Sequence, residues 1–312
     1  MSRPKVVALG GGHGLAVSLA ALRLVTDDIT AVVTVADDGG SSGRLREEFG
    51  VLPPGDLRMA LSALCDDSEW GHTWRDVLQH RFRGQGQLGG HALGNLLIVS
   101  LWDLLGDTVA GLDLVGGLLN ARGRVLPMAA VPLQIEAEVL GGDPARPGDV
   151  TTVRGQHLVA STSGRVQSVR IIPPDPPCCV ETIDALLRAD WVFLGPGSWF
   201  TSVLLHVLVP ELRQALARTP ARIVLNLNVE VHTAETRGFR AVDHLDALAR
   251  HAPELRLYAV LVDPRVLDDE AEIAAAAAAM GARLVVSDVS APGRTGHHDS
   301  LRLAAAYRDL IG

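Results

Sequence analysis

Lysine is almost missing from this chain: Lys5 is the only one among 312 residues, and arginine supplies the remaining positive charge. Without a Gly-Lys-Ser/Thr element no P-loop can form, so a P-loop nucleotidase is excluded. A lysine Schiff base would have to come from Lys5, ahead of the first strand and poorly placed for it. Cysteine is scarce as well. Cys65, Cys178 and Cys179 give neither a C-x-x-C pair nor a disulfide framework, which reads as a reducing, cytoplasmic setting. No stretch approaches the ~18 apolar residues of a membrane span, and the start of the chain carries no secretory pattern. The net charge of −8 provides no basic field for nucleic acid, so any anion binding must be local. Glycine, by contrast, is plentiful, with 32 residues, and the hydrophobic share of 47% is that of a globular core.

The glycines gather where apolar runs end. Lys5 to Leu9 reads as a buried strand, followed by Gly10, Gly11, Gly12, His13 and Gly14 and then an apolar helix over Leu15 to Val25. With a return strand over Ile29 to Ala36 this makes half of a Rossmann-like unit. The dinucleotide fingerprint is incomplete, because its third glycine would fall at Leu15. Two readings stay open: a phosphate cradle, or glycines that let helix and strand pack closely.

The second strand runs into Asp37 and Asp38, then Gly39, Gly40, Ser41 and Ser42, then a helix bearing Arg44 and Arg46. Carboxylates bind cations or sugar hydroxyls, glycine backbone and serine hydroxyls approach phosphate, and arginines balance anionic charge. Their concentration at one strand end points to a phosphorylated ligand. Downstream, Asp56 is positioned to cap a helix over Leu57 to Leu64. Arg58 sits in that helix's first turn, where a cation opposes the helix dipole unless an anion lies nearby. His91, Gly94 and Asn95 stand at the start of a very apolar helix whose N–H groups need partners; a core-satisfied His91 is the alternative. Gly195, Gly197 and Ser198 form another glycine turn after a strand, with Ser198 placed to cap the following helix. No nucleophile elbow is present. His232 and Glu235 lie in a polar loop without a third ligand at a zinc spacing.

The order of elements predicts an α/β protein with a Rossmann-like three-layer fold and a mostly parallel sheet. Residues from about 125 to 174 change character. Gln134 to Leu140, Thr151 to Ala160 and Val166 to Ile172 alternate or are β-branched, so a small antiparallel β-rich insertion carrying few chemical groups is expected there. One domain over 1–312 with this insertion is the organisation predicted.

Several blocks together resemble one family, the YvcK-like gluconeogenesis factors, relatives of 2-phospho-L-lactate transferase. They are GGGHGL at Gly10, VTVADDGGSSGRLR from Val33, PPGDLR at Pro53, HALGNLLI at His91, GPGSWFTS at Gly195 and the ET-x-G…DH pattern from Glu235 to His244. The resemblance implies a nucleotide diphosphate ligand, in the YvcK-like branch a UDP-sugar such as UDP-N-acetylglucosamine. It implies a cytoplasmic factor for growth and cell shape on gluconeogenic carbon sources. The transferase branch implies Mg2+ near the paired aspartates, which would make Asp37 and Asp38 its metal-binding and catalytic residues. Asn228, at the end of its strand, joins the expected ligand contacts. His13 stands where the family usually has threonine, the TQPGET loop reads VHTAET, and His297 replaces an arginine associated with the UDP-sugar. Losing that forked guanidinium weakens a diphosphate contact. The expected partner is therefore a small-molecule nucleotide, with no nucleic acid and no membrane, and a homo-oligomer is left open. A third reading, an NAD(P)-binding oxidoreductase with Asp37 on a ribose, is disfavoured by the incomplete fingerprint.

Overall fold

The computed structural model describes residues 3–143 and 145–312. Seven strands form one sheet: β1 (Val6–Gly10), β2 (Ile29–Val33), β3 (Arg124–Pro127), β7 (Trp191–Leu194), β8 (Arg222–Asn226), β9 (Ala259–Val262) and β10 (Arg283–Val286). Their order is β10-β9-β8-β7-β1-β2-β3, and every pairing in it is parallel. Helices cover both faces, so central strands are buried on both sides and read as continuous apolar runs. Val6, Val7, Ala8 and Leu9 of β1 and Val192, Phe193 and Leu194 of β7 are all buried. The three-layer, mostly parallel α/β architecture expected from the strand–glycine–helix rhythm is the one observed.

Helix Gly12–Leu22 lies against the helices Pro54–Leu64 and Ser300–Ile311. A buried polar chain ties this layer to the sheet: the Tyr307 hydroxyl meets Ser18 Oγ at 2.9 Å and accepts from Asn226 Nδ2 at 3.1 Å. Burial pushes the Tyr307 hydroxyl up to about 12, so it stays a neutral donor and acceptor. No helix among the described residues is long and apolar enough to cross a membrane.

The insertion departs from its predicted outline. Residues 125–127 belong to β3, which pairs in parallel with β2, Ala31 facing Val125; the change in sequence character did not reveal that pairing. The separate antiparallel sheet comprises β4 (Gln134–Leu140), β5 (Val150–Arg154) and β6 (Arg165–Ile172) in the order β5-β4-β6. Gln156–Ala160, expected to continue a strand, is a short helix. Gly155 turns the chain into it at a φ of 101°, in the left-handed region that favours glycine.

Candidate functional site

From β1 the chain builds outward through β2 and β3. It then returns to β7, on the other side of β1, and builds the opposite way through β8, β9 and β10. The loops leaving β1 and β7 therefore diverge, and the crevice between their carboxyl ends is where ligands bind in open α/β sheets. A cleft of about 320 Å³ lies there. Gly11, Gly12, His13, Gly14, Asp37, Gly39, Asp56, Gln156, His157, Ala160, Gly197, Ser198, Thr201 and Ser202 line it.

The glycines of the first turn differ in what surrounds them. A Cβ on Gly14 would stand 2.4 Å from Pro196 O and 2.6 Å from the Gly197 Cα, and one on Gly11 would stand 2.4 Å from Thr34 Cγ2. These two glycines let the loops pack together, and Gly10 is buried beneath Leu15. Gly12, with φ at 56° and nothing within 4 Å of its would-be Cβ, faces open space in the cleft. Asn228 braces the opposite loop, accepting from Gly197 N at 2.9 Å and donating to Gly197 O at 2.8 Å. Ser198 lines the cleft but makes no side-chain cap, contrary to the capping role expected.

Two helices begin at this cleft, Gly12–Leu22 and Gly40–Phe49. Their N-cap residues are Gly11 and Gly39, no side chain caps either one, and neither has an acidic residue in its first turn. The positive ends of both helix dipoles thus meet at one cleft, an arrangement suited to an anion, and there the Gly12 N–H donates to Asp56.

The second strand end divides its labour more than its sequence suggests. Asp37 lines the cleft and accepts from Gly39 N at 2.9 Å. Asp38 turns away to the insertion, where Oδ2 accepts from Gln156 N at 2.9 Å and Oδ1 from His157 N at 3.1 Å. Its oxygens are engaged there, and unlike Asp37 it does not line the cleft. Ser41 is buried, with Oγ 3.0 Å from His91 Nδ1 and 2.9 Å from Asn95 Nδ2, and Ser42 Oγ accepts from Gly55 N at 3.0 Å. His91, pushed down by burial and then by Arg44, is the core-satisfied histidine of the alternative reading.

None of the three arginines lines the cleft. Arg44 donates to the Gly89 carbonyl at 2.8 Å, and Arg46 to the Leu133 carbonyl at 2.7 Å. Arg58 is buried and bonded to Gln79 Oε1. Burial, then the nearby Arg81, pushes it down to about 10 against the pull of Asp56 and Asp37. Gly94 is a packing glycine, since a Cβ there would meet Arg58 Cδ at 2.8 Å. Ser41, Ser42, Arg44, Arg46, Arg58, His91, Gly94 and Asn95 therefore build the walls rather than face the space, because each has an internal partner. Gly40, at φ 49°, opens the second helix beside them.

Asp56 is the residue the sequence reading misplaced. Pro53, not Asp56, is the N-cap of its helix, and the carboxyl faces the cleft instead. Burial raises it to about 7, Asp37's charge adds to the rise, and the Gly12 N–H and Arg58 oppose it. The carboxylate pair of the cleft is thus Asp37 with Asp56. Among the described residues no cluster of three or more His, Cys, Asp or Glu is arranged to hold a metal. Two carboxylates suit Mg2+, which typically takes one or two from protein and completes its shell with water and substrate phosphate. Burial pushes Cys178 up to about 12 and Cys179 to about 11, so neither offers a thiolate nucleophile.

A second chamber of about 470 Å³ adjoins the first through His13 and Gly14, and Val17, Arg294, Gly296, His297 and His298 complete its lining. His297 is exposed, with Nδ1 2.8 Å from Thr295 O. Arg294, which no sequence argument singled out, supplies a guanidinium three positions earlier in the same chamber. Asp263 holds this loop by accepting from Val289 N and Ser290 N at 2.9 and 3.0 Å. Gln156, His157, Thr201 and Ser202 also escaped notice. The two serine and threonine residues sat in the quoted GPGSWFTS block, while Gln156 and His157 lay in the insertion expected to be chemically quiet. His232 and Glu235 do not form a metal pair: the first is exposed, the second buried.

Fold and cleft define a Rossmann-like protein with a polar, glycine-lined cleft at its topological switch point. The family model for 2-phospho-L-lactate transferase CofD matches residues 6–299, and the chain belongs to the CofD family. A Mycobacterium leprae protein named "Putative gluconeogenesis factor" is 51% identical over 98% of this chain and 85% of its own length. The Bacillus subtilis protein named "Gluconeogenesis factor" is 38% identical over 86% of this chain and 81% of its own. A crystal structure of a Bacillus halodurans protein superposes with a TM-score of 0.87 at 32% identity, covering 98% of this chain and 99% of that one.

Proposed function

We propose that the cleft binds a nucleotide diphosphate compound, a UDP-sugar such as UDP-N-acetylglucosamine, and that the protein serves gluconeogenic growth and cell shape as a cytoplasmic factor. The observation that carries the ligand class is the meeting at one cleft of two helix N-termini, whose N-cap residues Gly11 and Gly39 both line it. A diphosphate satisfies both sets of N–H groups at once. The adjoining chamber gives room for the rest of the ligand, and Arg294 offers there a forked guanidinium that position 297 lacks. The names of the mycobacterial and bacillar relatives support the gluconeogenic setting.

The two carboxylates impose a condition. An anion entering beside Asp37 and Asp56 is repelled unless a cation accompanies it or a proton is held between them. Mg2+ held by Asp37 and Asp56 would meet this condition and neutralise charge on the phosphates. A second reading, a Mg2+-dependent transferase of phosphorus-containing groups, is favoured by the same pair. In that reading Asp37 alone would hold the metal, leaving Asp56, raised by burial to about 7 in the chain without metal, as the carboxyl suited to proton transfer near neutral pH.

A thermal-shift screen over UDP-sugars, guanosine diphosphate compounds and NAD(P), with and without Mg2+, tests this reading. UDP-sugars should raise the melting temperature, and more so with Mg2+. A chain stabilised only by NAD(P), or by none of these at millimolar concentration, would overturn it.

A further inference from the structure

We infer that Asp38 is a positioning residue that latches the β-insertion over the cleft, and that the insertion reads the bound ligand through His157. This rests on the nucleotide reading of the cleft for its ligand half alone.

The insertion reaches the cleft at one point, the short helix Gln156–Ala160, which brings Gln156, His157 and Ala160 into the lining. Two contacts hold it there from opposite sides. Asp38 accepts the first two N–H groups of the helix at 2.9 and 3.1 Å, and Gln156 Nε2 donates to the Thr201 carbonyl at 3.1 Å. One contact is to the loop after β2 and the other to the segment after β7, so the helix bridges the two lips of the crevice. Gly155 is fitted to this contact. Its φ of 101° disfavours any side chain, and a Cβ would stand 2.4 Å from Asp38 Oδ2. Nothing of this requires a ligand, which makes the latch a built feature of the fold. His157 is exposed yet lines the cleft, and it is the only imidazole that the insertion presents there. An imidazole N–H is a donor suited to phosphate or sugar oxygen.

Amide hydrogen exchange and UDP titration on the full chain test the two halves separately. Without ligand, Asp38→Ala and Gly155→Ala should speed exchange at Gln156 and His157 by about tenfold, as expected when a protecting acceptor is lost. Asp38→Asn, which retains one acceptor oxygen, should fall between wild type and Asp38→Ala. Amides of β1 should not change in any variant. Unchanged exchange in Asp38→Ala overturns the latch. With UDP as the probe, His157→Ala should weaken binding about tenfold at an unaltered melting temperature, and Asp38→Ala should weaken it similarly, with partial rescue by Asp38→Asn. Wild-type affinity in His157→Ala overturns the reading role. A wild-type chain that does not bind UDP refutes the nucleotide reading and the ligand half with it, while the exchange result still decides the latch.

Discussion

Glu235 should make the protein less stable as the solution becomes less acidic, and replacing it with glutamine should remove that dependence. The side chain is 2% exposed, and neither carboxyl oxygen has a hydrogen-bond partner of good geometry. Burial raises its pKa from 4.5 to about 7, offset in part by Thr201 and the nearby N–H groups of Trp199, Phe200 and Thr201. A carboxyl whose folded-state pKa lies above its unfolded value holds its proton more tightly when folded. Its contribution is fully in place below about pH 4.5 and is lost as the pH rises to about 7. Each pH unit in that window amounts to about 1.4 kcal/mol, so the whole effect is about 3 kcal/mol. Urea unfolding of wild type and Glu235→Gln at about pH 4 and about pH 8 isolates it, because Asp56, His206 and His298 titrate alike in both proteins and cancel in the difference. The variant should gain about 3 kcal/mol on wild type between the two conditions, whatever fixed cost its amide brings. A difference independent of pH would refute the reasoning, since Glu235 would then be ionising as freely in the fold as in the unfolded chain.

Other outcomes follow from the same geometry. Gly14→Ala should cost about 1–3 kcal/mol in denaturant unfolding, as overpacking does, because the three atoms nearest its Cβ, Pro196 O, Gly197 Cα and Pro196 C, are backbone and cannot swing aside. His206 and His298 should stay neutral in the folded protein down to about pH 5. Burial pushes both to about 4, and imidazole resonances moving near pH 6.5 would contradict it. Asp56→Asn should strengthen UDP binding measured without metal, by removing a charge beside Asp37, and should shrink the enhancement by Mg2+. Calorimetry with and without Mg2+ checks both effects.

The strand–glycine–helix units announced themselves because buried parallel strands are unbroken apolar runs and because the turns that follow them need glycine. Trp191–Leu194 was readable to the residue for that reason. The cleft lies at the glycine turns after β1 and β7 that the same pattern marks. Side-chain direction did not. Arg44, Arg46 and Arg58 look like anion ligands in a one-dimensional string, yet each donates to a carbonyl or amide oxygen and none lines the cleft. Asp38 and Asp56 exchanged roles for a related reason. Which of three carboxylates faces the cleft depends on contacts to Gln156, over a hundred positions from Asp38, and to Gly12, and no local pattern encodes these. The helix at Gln156 was invisible because Asp38, at a distance in sequence, supplies its cap.

The central claim is that two helix N-termini at Gly12 and Gly40 grip a diphosphate. Calorimetric titration of UDP against UMP in the presence of Mg2+ tests it most directly, because the two ligands differ only in the second phosphate. UDP should bind at least about tenfold more tightly, a difference of about 1.4 kcal/mol or more. Equal affinities for UDP and UMP, or no heat from either at sub-millimolar concentration, would contradict the account.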